Sequence, residues 1–254
     1  MGLLTETGAT RFARYAFPPN ELGHCGPDDA SLLLQHTTYG GGTVEVAARA
    51  RQFEGAWAYL SVLGKACGLD PLDPLVVDAY WVGNDLLGRV DPEHLLTALR
   101  QRFRGQSGGL LTTVEPSEHV LANHGFHVFA VYPWARMLGG SSDVPRSVLD
   151  SCRIRWGTVV GVDGERADVE SRPLTWDGSR LGLGDPRTES VRWSSDGMSL
   201  VPTPALGDMV SMHWDWVCER LTQDHVDALA DSTSHALDMA NAALSAPPVG
   251  PTRG

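Results

Sequence analysis

The sequence predicts an α+β protein with an N-terminal, mainly α-helical domain (residues 1–142), a small β-barrel (150–222) and a C-terminal helix (223–245). Apolar residues recur at helical spacing through most of the N-terminal part, and several helix start signals divide it. From Cys152 onward, β-branched alternation and tight turns take over, which is typical of short strands. An amphipathic run then follows Thr222, and its helical period predicts the last helix.

The helical part carries two clear start signals, at Asp73-Pro74 and at Asp91-Pro92. In both, an aspartate that can cap a helix precedes a proline suited to the first turn. The periodicity of residues 43–68 predicts one further helix that ends at Gly68. The run GFHVFAVYPWARML fits either a strand or a buried helix, and GGSSDVPRS is the predicted linker between the two domains.

The β-rich part begins with alternating residues that are broken by Asp163-Gly164, a strong hairpin signal. Short runs such as ESVRW and GDMVSMHW add strands, and several short strands with tight turns predict a small barrel. Within Gly207–Leu221, alternation places His213 and Asp215 on the polar face of one strand. We therefore expect His213 on the outer or rim face of the sheet, with a helix starting soon after.

Composition excludes several classes of protein. A net charge of −11 argues against nucleic-acid binding, which needs a clustered basic surface. No apolar run approaches the ~20 residues that span a bilayer, and the first residues lack the order of a signal peptide. Four widely spaced cysteines without a CxxC pair favour neither a disulfide scaffold nor a zinc ribbon. We expect a cytoplasmic protein that ends in a disordered tail, residues 246–254.

Three fragments of the β-rich part share residue types, order and spacing with one protein family. The matching residues are Cys152, Gly157 and Val159 in CRIRWGTVV, Ala167 and Val169 in VDGERADV, and Gly207, Asp208, Val210, His213, Trp216 and Leu221 in the closing segment. On these residues the segment from Cys152 to Leu221 resembles the HypC/HupF family of [NiFe]-hydrogenase assembly chaperones. The resemblance covers about a quarter of the chain.

The resemblance implies an OB-like barrel followed by a helix, and a function in hydrogenase maturation. In that family a cysteine and a histidine serve a low-spin iron with cyanide and carbon monoxide ligands, which is delivered to the hydrogenase large-subunit precursor. Here the corresponding ligands would be Cys152 and His213, with Asp215 orienting the imidazole. The expected cofactor is a transiently carried iron, and the expected partners are that precursor or maturation proteins. The family's cysteine is N-terminal after methionine removal, whereas Cys152 is internal.

A second hypothesis is a thiol-dependent enzyme centred on Cys25. The loop PPNELGHCGPDDA, residues 18–30, is rich in proline and glycine, and Cys25 lies near the start of the next predicted helix. A helix N-terminus lowers a thiol pKa, so Cys25 could act as a nucleophile with His24 or a distant histidine as base. If Cys25 met Cys152 across the domain interface, the helical domain could also supply a ligand.

Structural interpretations stay open beside the functional ones. His213 fits a rim histidine bonded to the sheet, Cys152 fits a buried structural thiol, and Cys218 fits a structural residue at a helix start. The trio His119, His124 and His127 does not match a standard zinc spacing. The third hypothesis is therefore an interaction module without a metal site.

Overall fold

The computed structural model describes residues 7–246, in which helices come first, then a sheet-rich region and then a long helix. The helices are α1 (Gly8–Glu21), α2 (Ser31–Tyr39), α3 (Thr43–Ala50), α4 (Glu54–Cys67), α5 (Pro74–Trp81), α6 (Pro92–Arg102), α7 (His124–Phe126), α8 (Val144–Cys152) and α9 (Gln223–Ser245). A π-helical turn, His127–Val131, continues α7, and 3-10 helices cover Asp85–Arg89 and Pro133–Met137. The predicted α+β class and C-terminal helix are confirmed.

The strands are β1 (Arg155–Asp163), β2 (Arg166–Ser171), β3 (Leu174–Trp176), β4 (Leu181–Leu183), β5 (Arg187–Arg192), β6 (Ser194–Ser195), β7 (Met198–Ser199), β8 (Met209–His213) and β9 (Trp216–Arg220). Five of them pair in the order β1-β2-β5-β9-β8, and β8 pairs with β1, so this sheet closes on itself. All of these pairs are antiparallel except β5 with β9. Gly157 in β1 is required, because a Cβ atom there would lie 2.2 Å from the Glu170 carbonyl oxygen of β2.

Local start and turn signals agree with the observed elements. Asp73 accepts a hydrogen bond from the Leu75 backbone N–H, and Asp91 caps α6 in the same way. Thr222 caps α9, and the hairpin at Asp163-Gly164 joins β1 to β2. These predictions are confirmed because each rests on neighbours within one turn.

Two expectations about element bounds are wrong, and of the two alternatives for GFHVFAVYPWARML the helix is the observed one. Residues 43–68 form two helices, since the chain breaks before Phe53 to bury that ring edge-on against Phe12 of α1, with ring centroids 5.3 Å apart. After His213 we expected the strand to continue and then a helix to start. The structure instead has a two-residue turn followed by β9, so Cys218 lies in a buried strand.

The helical part packs directly on the closed sheet. Helix α1 contacts β8 and β9, and one continuous set of buried apolar residues runs from the N-terminal helices into the strands. The predicted domain boundaries stay a prediction. Among residues 7–246, none of the helices combines the length and apolar character needed to cross a membrane. The predicted tail falls almost wholly outside the described residues.

A buried ionic network fixes this contact. Arg11 of α1 binds Glu219 of β9 through two guanidinium nitrogens, and its Nη1 lies 2.6 Å from the Asp78 carboxylate of α5. The Tyr15 hydroxyl donates to Glu219 at 2.8 Å. Burial alone would lower the pKa of Arg11, but the two carboxylates raise it above its ordinary value, so the guanidinium stays charged.

We expect Arg11→Met to lower the free energy of unfolding by about 3–5 kcal/mol, because it leaves the buried Glu219 carboxylate without its cation. Urea unfolding followed by circular dichroism measures the change. The matched control is Arg102→Met, which breaks an exposed pair with Glu54 and should cost less than about 1 kcal/mol. Equal losses in the two variants would contradict the assigned role of the network.

Candidate metal centre

His213 ends strand β8 and is fully buried. Its Nδ1 lies 2.7 Å from the Tyr15 carbonyl oxygen of α1. A carbonyl oxygen can only accept a hydrogen bond, so Nδ1 carries the proton and Nε2 carries the lone pair. Nε2 has no hydrogen-bond partner among the described residues. A buried imidazole with one nitrogen fixed by a carbonyl and the other free is the usual arrangement of a metal-binding histidine.

His124 comes from the helical part and is held in a similar way. It starts α7, directly after Asn123, whose side chain caps the helix by accepting from the Phe126 N–H at 2.8 Å. Its Nε2 donates to the Cys152 carbonyl oxygen at 2.8 Å, which leaves the lone pair on Nδ1. The Tyr80 hydroxyl reaches this Nδ1 at 3.3 Å, a long hydrogen bond.

Cys152 is the last residue of α8 and is 8% exposed. Burial raises the pKa of its thiol, and the charge of Arg155 and the indole N–H of Trp214 act in the opposite direction. Without a cation the sulfur is therefore protonated at neutral pH. A bound metal ion would favour the thiolate, which these two neighbours also stabilise.

The donor atoms of His124, Cys152 and His213 all lie within 4.8 Å of one another, and the two imidazole ring centroids are 5.0 Å apart. Burial lowers the pKa of His124 to about 4 and that of His213 well below its ordinary value, so both rings are neutral at neutral pH. Neutral imidazoles and a thiolate are ligands that iron, zinc and copper accept. We refer to these three residues as the His–Cys–His cluster.

Arg155 connects the segments that carry Cys152 and His213. Its Nη1 donates to the backbone oxygens of Asp150 and Ser151 at the end of α8, at 3.0 and 3.1 Å. Its Nη2 donates to the Trp214 carbonyl oxygen at 2.7 Å, directly after His213. One buried guanidinium therefore connects the backbone beside Cys152 to the backbone beside His213.

Trp214 occupies a conformation that costs free energy. It is a non-glycine residue with φ of 52°, in the left-handed region, which costs about 1–3 kcal/mol for a bulky side chain. Its backbone N–H donates to the Ser151 carbonyl oxygen at 2.8 Å. The left-handed turn reverses the chain into β9, and the indole packs against His24 with ring centroids 4.4 Å apart. Such strain concentrates at functional sites.

A cavity of about 400 Å³, which we call the aromatic cavity, adjoins the cluster. All three cluster residues line it. Six aromatic side chains belong to the remaining wall, namely Phe53, Tyr80, Trp81, Tyr132, Trp134 and Trp214. The cluster therefore lines a largely apolar cavity.

Two expectations about His213 and its neighbour are wrong. His213 is not on a rim, because α1 covers the outer face of β8 and a β-bulge at Ser211/Met212 interrupts the alternation. Asp215 does not orient it. The Asp215 carboxylate instead binds Arg166 at 2.8 Å and Arg192 at 3.0 Å on the far side of the turn. The Tyr15 carbonyl takes the orienting role.

The structure gives the Cys25 thiol no activating neighbour among the described residues, and the thiol-dependent enzyme stays a prediction. The helix that follows begins at Ser31, too far away to act on Cys25, and burial raises the pKa of its thiol to about 12. The residue keeps some exposed surface, and the Asn20 amide bonds its carbonyl oxygen at 2.9 Å. Cys25 and Cys152 do line the same cavity, but the ligand that the helical part contributes is His124.

Sequence reasoning missed His124 as a partner of Cys152 and His213. In the sequence His124 belongs to a trio of histidines, which the fold separates. His119 contacts His235 of α9, with their Nδ1 atoms 3.1 Å apart, while His127 lines the aromatic cavity. The three cluster residues are far apart in sequence, so no local spacing marks them. The one available signal was the Asn123 cap directly before His124.

The fold and the cluster define a helical domain joined to a closed β-sheet with a buried nitrogen–sulfur–nitrogen donor set at their contact. The chain belongs to the Family of unknown function (DUF6390), whose family model matches residues 4–247. No curated protein and no solved structure matches it.

Iodoacetamide at neutral pH should label Cys67 faster than Cys25, because a thiol with a pKa of about 12 holds almost no thiolate. Cys67 is half-buried at the end of α4 and serves as the internal reference. Peptide mass spectrometry over time gives both rates. Rapid, stoichiometric labelling of Cys25 would contradict this expectation and favour the thiol-dependent enzyme.

Proposed function

We propose that this protein is an accessory protein of [NiFe]-hydrogenase maturation that holds an iron unit at the His–Cys–His cluster. It would do so in complex with the hydrogenase large-subunit precursor or with a maturation protein. The observation that carries the proposal is the convergence of the three donor atoms within 4.8 Å in a buried site. Two of these residues, Cys152 and His213, are those that the resemblance to the HypC/HupF chaperones selects.

The strand order supports the OB-like part of the proposal. Counting the five strands of the closed sheet along the chain gives the cyclic order 1-2-3-5-4, with a parallel contact between the third and fifth strands. That arrangement is the Greek-key order of an OB barrel. Cys152 precedes the first strand and His213 ends the fourth, as the order of the HypC-like fragments requires.

His124 gives the helical domain a role in the proposal. In the HypC/HupF family the cysteine is the N-terminal residue after methionine removal, so a free amine lies beside its thiol, whereas Cys152 is internal and has none. The His124 imidazole offers a neutral nitrogen donor in the same cluster. In this proposal the helical domain replaces the missing amine as a source of a third ligand.

The state of the cysteines supports a reducing compartment. Cys25, Cys67, Cys152 and Cys218 are all free thiols. Free thiols persist in the cytosol and are oxidised in secretory compartments. A cytoplasmic location therefore belongs to the proposal, and it suits a carrier whose ligand is a cysteine sulfur.

We expect the wild-type chain to bind one Fe²⁺ or Co²⁺ ion under anaerobic conditions, measured by titration and elemental analysis. Cys152→Ser, His213→Gln and His124→Gln should each weaken binding by more than about tenfold, since loss of an outer-shell partner alone costs 10–100-fold. The matched controls are Cys67→Ser and Asp215→Asn, which lie outside the cluster. Undiminished binding in all three cluster variants would contradict the metal site.

The maturation role requires a partner. Anaerobic affinity purification of the tagged chain from its native host should recover a hydrogenase large-subunit precursor or a maturation protein, identified by mass spectrometry. Deletion of the β-rich region should impair hydrogenase maturation. Normal maturation in the deletion strain, with neither class of protein recovered, would overturn the role. Recovery that is unchanged in a Cys152→Ala, His213→Ala double variant would favour an interaction module without a metal site.

A further inference from the structure

The aromatic cavity is large enough to hold a small molecule in addition to a metal ion. Its volume of about 400 Å³ lies within the range of about 300–1,000 Å³ that is typical of ligand sites. Both parts of the chain build it. Phe53 directly precedes α4 and Trp81 ends α5, while Trp214 lies in the β8–β9 turn. Protein interiors are close-packed and contain few voids larger than a water molecule. Close packing therefore does not explain a cavity of this size beside the His–Cys–His cluster.

The lining that the structure describes contains no carboxylate, ammonium or guanidinium group. Burial lowers the pKa of His127 to about 3, so this imidazole is neutral, and the Cys25 thiol is protonated. In the metal-free protein, a charged ligand would lose its hydration here without gaining an opposite charge from an Asp, Glu, Lys or Arg side chain. The metal-free cavity therefore favours uncharged molecules.

The lining also offers aromatic contacts. Tyr132, Trp134 and Trp214 are half-buried and line the cavity, so their rings can contact a flat ligand. Phe53, Ala56 and Val148 add a second, apolar contact.

The position of the cluster adds a third contact. His124, Cys152 and His213 all line the cavity, and three protein ligands leave a tetrahedral ion one position for an external donor. A ligand in the cavity is within reach of that position. This step rests on the proposed function, because it requires the cluster to hold an ion.

We infer that the aromatic cavity binds an uncharged, flat aromatic or heteroaromatic molecule, which contacts the ring side chains of the lining and supplies one donor atom to the ion on the His–Cys–His cluster. The ligand class differs from the iron unit itself. In this inference the metal ion and the organic ligand occupy adjoining parts of one cavity.

Two probes separate the cavity from the metal. Indole has no donor atom for the ion and tests the cavity in the metal-free protein by isothermal titration calorimetry. 4-Phenylimidazole carries a ring and a donor, and imidazole carries the donor alone. In the cobalt-loaded protein, the visible spectrum should change with both imidazoles, and 4-phenylimidazole should bind at least about tenfold more tightly than imidazole.

The blocking variant is Val148→Trp, which introduces a large side chain at a half-buried position of α8 that lines the cavity. Its matched control, Val144→Trp, makes the same change at an exposed position of the same helix. Val148→Trp should weaken indole and 4-phenylimidazole binding at least about tenfold, whereas Val144→Trp should not. Ala56→Leu narrows the cavity from α4 and replaces Val148→Trp if that variant does not fold.

The outcomes distinguish this inference from the proposed function. Indole binding that is lost in Val148→Trp and kept in Val144→Trp supports the cavity whether or not cobalt binds. Failure of cobalt to bind overturns the proposed function and the donor-atom step. Absence of indole binding, or equal binding in the blocking and control variants, overturns the inference itself. So does 4-phenylimidazole binding no tighter than imidazole.

Discussion

The guanidinium of Arg155 is the contact on which the candidate site depends. Cys152 lies at the end of α8 and His213 at the end of β8, two segments that are far apart in sequence. Backbone carbonyls at both places point at the same buried cation, at 2.7–3.1 Å. Because a buried guanidinium must satisfy its donors, moving either segment away would leave it unpaired. Glu189 completes the arrangement by pairing with Arg155 at 3.1 Å.

A second constraint fixes the protonation of the imidazoles. Both histidines donate one N–H to a backbone carbonyl, His213 to Tyr15 and His124 to Cys152. Burial keeps both rings neutral, so each presents a lone pair rather than a second proton. The second carbonyl belongs to the cysteine of the cluster, which couples the orientation of His124 to the position of α8. The helical part and the sheet therefore meet through ligands as well as through apolar packing.

The sequence predicted what neighbours within a turn determine. Asp73, Asp91 and Thr222 cap helices because each acts on an N–H two or three residues away, and Asp163-Gly164 turns the chain for the same local reason. The resemblance also selected Cys152 and His213, which the fold brings together.

The errors have the opposite origin, since they depend on what packs over an element. Alternation predicts two faces for β8, but it reveals neither the β-bulge at Ser211/Met212 nor the cover that α1 provides, so His213 was expected on a rim. Asp215 lies two residues after His213 and would share its face in a continuous strand. The β8–β9 turn instead places the Asp215 carboxylate against Arg166 and Arg192. His124 joins the cluster only through tertiary contact, which no spacing of histidines encodes.

In the proposed site, one sulfur and two nitrogen donors of this chain hold a single ion. X-ray absorption spectroscopy of the iron-loaded protein identifies these donors, because sulfur and nitrogen scatterers around the metal are distinguishable. We expect one sulfur and two imidazole ligands per iron, with the sulfur contribution lost in Cys152→Ser. A metal environment without sulfur, or one that Cys152→Ser leaves unchanged, would contradict it.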